Sequence, residues 1–229
     1  MLAVDDYVDQ DCSSTSCAVT DTYGPIKNWC TDDVTNMSFI FSTGRNANIS
    51  SFNEDISGWN VGKVTTMFEM FRGATSFNQD FSTWDTSKVF AFDGMFRDAT
   101  NFNGDVTTWD LSSSLDMPNM FRNSAFNRDV TDWRDTFGTV RSFRSMFRQS
   151  PFNLNLCGWS NDFPYDTATV DTMFAGSGCP NTNSPEAVGR GPFCFDCSQV
   201  RYIPIRCSTH LSMHMSLTSA FSILFIVFK

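Results

Sequence analysis

The chain has 229 residues with 24 Phe and 4 Tyr, and its formal net charge is −9 at pH 7. So much apolar aromatic surface must be buried, which excludes a disordered chain. The acidic balance argues against nucleic acid as a partner, because that affinity depends on neutralising phosphates, and against a polybasic attachment to anionic lipid.

The first segment, residues 1–33, is predicted to be a Cys-containing cap. Its opening, MLAVDDYVDQD, reaches acidic residues after four positions and has neither the basic nor the apolar region of a secretory signal peptide. The cysteines of the chain nevertheless concentrate near its two ends, a distribution typical of disulfides formed in an oxidising compartment. We therefore expect a secreted or cell-surface protein whose true N-terminus is missing from this chain.

Residues 34–178 repeat a unit of about 25 residues. Three anchors share this period: a Phe-Asn pair, a Met-Phe pair and a Trp, the last at Trp59, Trp84, Trp109, Trp133 and Trp159. One such unit cannot bury its own apolar side, so the period predicts a solenoid in which Phe stacks on Phe and Trp on Trp. Within a unit, FNQDFSTW and KVFAF read as two short strands and MFRGAT as a short helical turn.

Units of the form V-x-x-M-x-x-M-F-x-x-A-x-x-F-N-x-D-[IVF]-[ST]-x-W resemble the repeat of BspA-like leucine-rich-repeat surface proteins, in the branch with units of about 25 residues. The resemblance covers roughly residues 34–178. It implies a leucine-rich-repeat-like solenoid of about five to six coils, with short parallel β-strands and short helical turns. It also implies a cell-surface or secreted location and a role in adhesion or binding. Units with lost or extra residues, such as the one between Phe121 and Phe126, should be less regular.

Two polar columns recur in these units and are predicted to be structural. The Asn of each Phe-Asn pair should hydrogen-bond the backbone of the neighbouring coil. An Asp column, comprising Asp55, Asp80, Asp105 and Asp129, would repel itself at strand spacing unless backbone N–H groups, Arg or a cation offset the charge. Calcium is a minor alternative, because no D-x-D-x-D run supplies the several oxygens that it needs.

Two further columns supply the candidate binding residues. A basic column follows each Met-Phe pair, at Arg72, Arg97, Arg122 and Arg148. Its simplest role is an ion-pair network with the Asp column, and the alternative is an exposed stripe that binds an acidic glycan. A second set differs between units while its neighbours repeat, which favours exposure and marks a candidate binding face: Thr65, Phe90, Asp116 and Arg141. The Trp residues are expected in the core, whereas exposed Trp would indicate stacking on sugars.

Nothing in the sequence predicts an enzyme. The only histidines, His210 and His214, lie beyond the repeats, so no Ser-His-Asp or Cys-His arrangement can be assembled. No glycine-rich phosphate loop follows a strand, and an Asp that recurs in every unit indicates a scaffold rather than a catalytic pair. We predict no catalytic residue, no metal and no cofactor.

Residues 179–210 are predicted to be a Cys-rich cap, and 211–229 an apolar tail that is a possible membrane anchor or a truncated transmembrane segment. All eight cysteines are disulfide candidates: Cys12, Cys17, Cys30, Cys157, Cys179, Cys194, Cys197 and Cys207. Three lie on the N-terminal side and five on the C-terminal side, so purely local pairing leaves one unpaired at each end. A zinc site built on the Cys194-x-x-Cys197 pair is the alternative. Asn36 and Asn48 begin glycosylation sequons.

The functional expectation is a surface recognition or adhesion module that binds an extracellular glycan or protein through one face of the solenoid. The alternatives are a structural surface or matrix component without a discrete ligand and, as a minor one, an ice-binding solenoid. The sequence leaves open the ligand, the disulfide connectivity, calcium binding by the Asp column and the oligomeric state.

Overall fold

The computed structural model describes residues 2–10, 12, 18–137, 139–185 and 192–197. Two short helices stand at the N-terminal end, α1 (Leu2–Asp9) and α2 (Ala18–Tyr23). Four 3-10 helices complete the regular structure of these residues: Ile26–Asn28, Ala47–Ser51, Thr131–Asp135 and Cys157–Asn161.

The coils between residues 34 and 178 stack on one another through single parallel β-bridges. Asn36 pairs with Thr66, and the line then continues through Ala91, Asp116, Ser142 and Thr169. Each coil contributes one bridging residue to this line, and the described residues contain no β-strand and no sheet. The predicted leucine-rich-repeat-like solenoid of short parallel strands is therefore wrong, and the coils are built from turns.

Left-handed backbone explains why each bridging residue does not extend into a strand. Three residues after each bridging residue the chain adopts a positive φ, at Phe39, Glu69, Gly94, Asn119, Ser145 and Thr172. A strand needs consecutive residues with extended φ and ψ, and a left-handed residue so soon after the bridge interrupts it. The predicted strand KVFAF therefore ends at the turn after Ala91, whereas the other predicted strand, FNQDFSTW, contains no positive φ and forms no β-bridge.

Most backbone hydrogen bonds between coils point from one coil to the next, while the amides of Thr65, Phe90 and Leu115 donate to the preceding coil. The amides of Met67, Glu69 and Phe71 donate to the carbonyls of the next coil at 2.8–3.0 Å, and the pattern recurs along the stack. The dipoles of this majority add, as they do in a helix, so the first coil presents mainly carbonyls and the last mainly N–H groups.

At each end of the stack, side chains form hydrogen bonds with some of the backbone groups that no further coil pairs. At the carbonyl end, the Arg45 guanidinium donates to the Phe39 carbonyl at 3.0 Å and also contacts the Ile40 carbonyl and the Asp5 carboxylate of α1. At the opposite end, the Thr172 amide donates to Ser184 Oγ at 3.1 Å. A cation at the negative end of aligned dipoles is the favourable arrangement.

The core is a continuous ladder of aromatic rings. Rings of one Phe column lie 5.2–5.9 Å apart between centroids and within 8° of parallel. This column comprises Phe41, Phe71, Phe96, Phe121, Phe147 and Phe174. All five Trp of the repeats are buried, and Trp84 stacks on Trp109 at 6.5 Å. The predicted stacking of Phe on Phe and the predicted burial of Trp are confirmed.

Disulfides close the C-terminal side of the described chain. Cys157 pairs with Cys197 and Cys179 with Cys194, and Cys12 is also disulfide-bonded. The disulfide prediction is confirmed for these five residues. Four thiolates for the zinc alternative are therefore not available.

Cys30 carries an exposed free thiol, so its predicted disulfide is wrong. Cys17, Cys207 and the apolar tail at 211–229 lie outside the described residues. Among the residues that are described, none of the helices has both the length and the apolar character needed to cross a membrane.

Candidate functional site: the turn face

One side of the stack consists of the turns that begin just before each bridging residue. In the segment 65–73, Met67, Met70 and Phe71 point into the core, while the other residues reach solvent. The same division holds in the neighbouring coils, except that Gly94 and Ser145, which are equivalent to Glu69, are buried. We call the solvent-reaching residues of segments 65–73, 90–98, 115–123 and 141–149 the turn face.

Seven of the eight predicted binding residues fall in the two expected columns of this face. Arg72, Arg97, Arg122 and Arg148 are all half-buried and occupy equivalent places in successive coils. Thr65, Phe90 and Arg141 belong to the second column.

The fourth member of the second column is Leu115, not Asp116. The Leu115 amide donates to the Phe90 carbonyl at 2.9 Å, and the Arg141 amide donates to the Leu115 carbonyl at 2.7 Å. Asp116 lies one residue further, in the line of bridging residues.

A buried serine explains why the sequence prediction placed this member of the column one residue too late. Ser114 occupies the place that Val64, Val89 and Val140 take in the other coils, and it is fully buried. Its hydroxyl donates to the Val89 carbonyl at 3.2 Å, which satisfies the polar group and permits its burial. Sequence reasoning took Leu115 for the buried apolar position, whereas counting one period from Phe90 would have found it.

Large apolar side chains are exposed on the turn face. Phe90 is 45% exposed and Leu115 37% exposed, and the two are neighbours in the same column. Two coils before Phe90, the exposed Phe39 packs edge-on against Phe68 of the intervening coil, with ring centroids 5.1 Å apart. A contiguous apolar patch, in contrast to single exposed apolar residues, is what marks an interaction surface.

The ion pairs of the turn face are local to it. Arg72 contacts Glu69 at 2.8 Å, Arg97 contacts Asp98 at 3.3 Å and Arg141 contacts Asp116 at 3.1 Å. None of these acids belongs to the Asp column, so the predicted network between the Arg and Asp columns is wrong. Within the described chain, three further arginines of this face form no ion pair: Arg122, Arg144 and Arg148.

The turn face contains a carboxyl group whose pKa is raised, that of Asp93. Its burial raises its pKa above the usual 3.8, and the nearby Glu69 and Asp116 carboxylates add to the effect. Arg97 and a hydrogen bond with Asn119 offset it in part. The centre of the turn face therefore holds a carboxylate that is disfavoured in its ionised form.

Another side of the same coils carries the repeated Asn residues, and we call it the ladder face. Each Asn Oδ1 accepts the backbone N–H of the next Asn, at 2.8–3.1 Å. This ladder runs through Asn53, Asn78, Asn103, Asn127 and Asn153. The structural role predicted for the Asn column is confirmed.

The Asp column also lies on the ladder face, and backbone N–H groups offset its charge. Asp55 accepts from the Ser57 amide, and Asp105 from the amide and hydroxyl of Thr107. These hydrogen bonds hold the pKa of both carboxyl groups below the usual value. In the described part of the chain, no group of three or more His, Cys, Asp or Glu is placed to hold a metal ion.

The two predicted glycosylation sequons lie near the N-terminal end of the stack. Asn36 is exposed, and its Oδ1 accepts the Ser38 amide at 2.8 Å. Asn48 is also exposed, and its Nδ2 donates to Asp9 of α1 at 3.0 Å.

Comparison with known proteins gives a family but no function. The model of a family described as "Mycoplasma protein of unknown function, DUF285" matches this chain twice, over residues 10–133 and 81–185. The two matches overlap and together span the stacked coils. Searches of the curated proteins and of the solved structures found no match.

Proposed function

We propose that this protein, which belongs to the DUF285 family of proteins of unknown function, is a cell-surface or secreted recognition module. It binds a partner protein through the turn face. We also propose that its units are of the BspA-like type with about 25 residues each, on the evidence of the recurring Met-Phe, Phe-Asn and Trp positions.

The observation that carries this proposal is variation on a constant framework. Along one column of the turn face, the side chain changes from the hydroxyl of Thr65 to the ring of Phe90, then to the aliphatic Leu115 and the guanidinium of Arg141. The Met and Phe residues beneath them repeat and are buried. Since the buried ladder determines the backbone, the surface column can differ from coil to coil without loss of the fold.

The nature of the exposed groups supports a protein partner. All five Trp of the repeats are buried and unable to stack on sugar rings. Phe90 and Leu115 offer an apolar patch with arginines beside it, and aromatic, apolar and Arg side chains are enriched in protein interfaces. The disulfides support an oxidising, extracellular location.

A binding panel with matched variants tests the proposal. The full chain is applied to an array of extracellular proteins and glycans, beside a Phe90→Ser/Leu115→Ser variant and a Tyr23→Ser control. Tyr23 is an exposed aromatic on α2 and belongs to none of the four turn-face segments. We expect a protein partner that the Tyr23 variant still binds and the double variant loses by about tenfold or more.

Two results would count against recognition through this face. Binding that survives the double substitution would place the site elsewhere on the molecule. A blank across the panel from folded protein would favour the structural alternative, in which the stack is a surface component without a discrete ligand.

A further inference from the structure

Positive charge is concentrated on the turn face of an acidic protein. The chain has a net charge of −9 and 16 Lys and Arg residues. Six of those residues lie on the turn face: Arg72, Arg97, Arg122, Arg141, Arg144 and Arg148. Four carboxylates lie in the same segments, Glu69, Asp93, Asp98 and Asp116, so six positive and four negative groups leave the turn face a formal charge of +2.

The two halves of the turn face differ in how many of these arginines form an ion pair with a carboxylate. In the N-terminal half, Glu69 pairs with Arg72 and Asp98 with Arg97. In the C-terminal half, Asp116 pairs with Arg141. The other three arginines of that half, which have no ion pair in the described chain, form what we call the basic zone: Arg122, Arg144 and Arg148.

The basic zone is a compact unit. The Asn123 amide donates to the Arg148 carbonyl and the Asn119 amide to the Arg144 carbonyl, both at 2.8 Å, so the coils of Arg122 and Arg148 are direct neighbours. Adjacent coils joined in this way lie about 5 Å apart, at which spacing like charges repel each other. Arg122 Nε is also buried with no hydrogen-bond partner in the described chain. Asp171 follows Arg144 in its column, since the Ser145 amide donates to the Asp171 carbonyl, yet within the described chain the three arginines form no ion pair.

An apolar patch borders the basic zone. Phe90 and Leu115 are both exposed, and the next member of their column, Arg141, belongs to the same coil as Arg144 and Arg148. A partner that covers the zone therefore meets apolar surface at its edge.

We propose that the basic zone and this patch together bind an acidic segment of a partner protein. Asp or Glu side chains of the segment pair with Arg122, Arg144 and Arg148, and an apolar side chain packs on Phe90 and Leu115. This inference rests on the proposed function and names the chemistry of its partner. Guanidinium groups hold carboxylates with two parallel hydrogen bonds, and charge complementarity sets both the orientation and the speed of binding.

The apolar patch distinguishes this partner from an acidic glycan. A sulfated polysaccharide offers charges to the arginines but has no apolar side chain for Phe90 and Leu115. An acidic protein segment with an apolar residue offers both.

A displayed library of short random peptides, selected on the full chain, tests the inference without a known partner. We expect the enriched peptides to be acidic and to share an apolar residue. Their affinity should fall about tenfold in an Arg144→Ser/Arg148→Ser variant and less than about twofold in a Lys27→Ser/Arg134→Ser control, which removes the same charge elsewhere. Replacing the apolar residue of a peptide by Ser should reduce its affinity for the wild-type chain but not for the Phe90→Ser/Leu115→Ser variant.

A charge-preserving variant and a polysaccharide complete the design. Arg144→Lys/Arg148→Lys keeps the charge and loses the paired hydrogen bonds, so it should bind more weakly than wild type and more tightly than the Ser variant. Enrichment of neutral or basic peptides, or none from folded protein, would overturn the inference. Heparin binding that needs the same arginines, without any binding of acidic peptides, would assign the zone to an acidic glycan instead.

The design separates this inference from the proposed function. A protein from the extracellular panel that needs Phe90 and Leu115 but tolerates loss of Arg144 and Arg148 would leave the recognition role standing. It would refute an acidic segment as the partner.

Discussion

The turn face and the ladder face belong to the same coils and both carry columns of repeated polar side chains, but these side chains do different work. On the ladder face, each Asn amide oxygen accepts a backbone N–H of the next coil. On the turn face, the repeated arginines contact only nearby acids, or no acid at all in the described chain. Repetition of a side chain thus indicates a structural role where the repeat closes a hydrogen bond between coils, and leaves other roles open where it does not.

The largest contrast is expected between a buried and an exposed Phe. Phe121 lies in the ring ladder, 5.8 Å from Phe96 and 3.8 Å from Phe126, whereas Phe90 is exposed on the turn face. Phe121→Ala should lower the free energy of unfolding by about 3–5 kcal/mol, and Phe90→Ala should change it by less than about 0.5 kcal/mol. Urea unfolding measures both variants. Equal losses would show that Phe90 is part of the core and not available for binding.

A smaller contrast is expected between the two polar columns. Asn103 accepts the Asn127 amide and donates its own amide to Asn78, so Asn103→Ala leaves the Asn127 N–H without its acceptor. We expect a loss of about 1 kcal/mol, since water can reach this half-buried site. The turn-face control, Arg144→Ala, should cost less than about 0.5 kcal/mol. If the control is as costly as Asn103→Ala in urea unfolding, Arg144 has a structural role and the basic zone is not free to bind.

The smallest contrast is expected in the pH dependence of stability. The folded-state pKa of Asp93 is raised, so its contribution is fully present below 3.8 and is lost as pH rises through that pKa. The folded-state pKa of Asp105 is lowered, so its contribution is present above 3.8 and is lost as pH falls through that pKa. Asp93→Asn should therefore raise the unfolding midpoint at about pH 7 and have little effect at about pH 3, whereas Asp105→Asn should lower it at about pH 7.

Thermal unfolding of the two Asn variants across this range supplies the measurement. A midpoint for Asp93→Asn that falls at neutral pH would show that the carboxylate is stabilised by its neighbours. The ionised form of Asp93 would then not be disfavoured at the centre of the turn face.

Much of the candidate site could be predicted from the period alone. Equivalent positions in successive units must lie in columns, so the arginine column and the variable column follow from counting residues. Leu115 was missed because a buried Ser114 lies where other coils have Val. The Ser114 hydroxyl finds an acceptor only once the coils are stacked. The pairing of Arg72 with Glu69 likewise depends on the direction in which a left-handed turn points the two side chains.

The sequence by itself determined that the chain repeats, that its Phe and Trp residues stack in the core and that its Asn column joins the coils. These follow from period and polarity, since each unit must bury its apolar side against the next. Tertiary structure decided that the coils are made of turns and single bridges rather than strands. Apolar spacing does not report the sign of φ at Glu69 or Asn119, and a positive φ at these residues excludes a continuous strand.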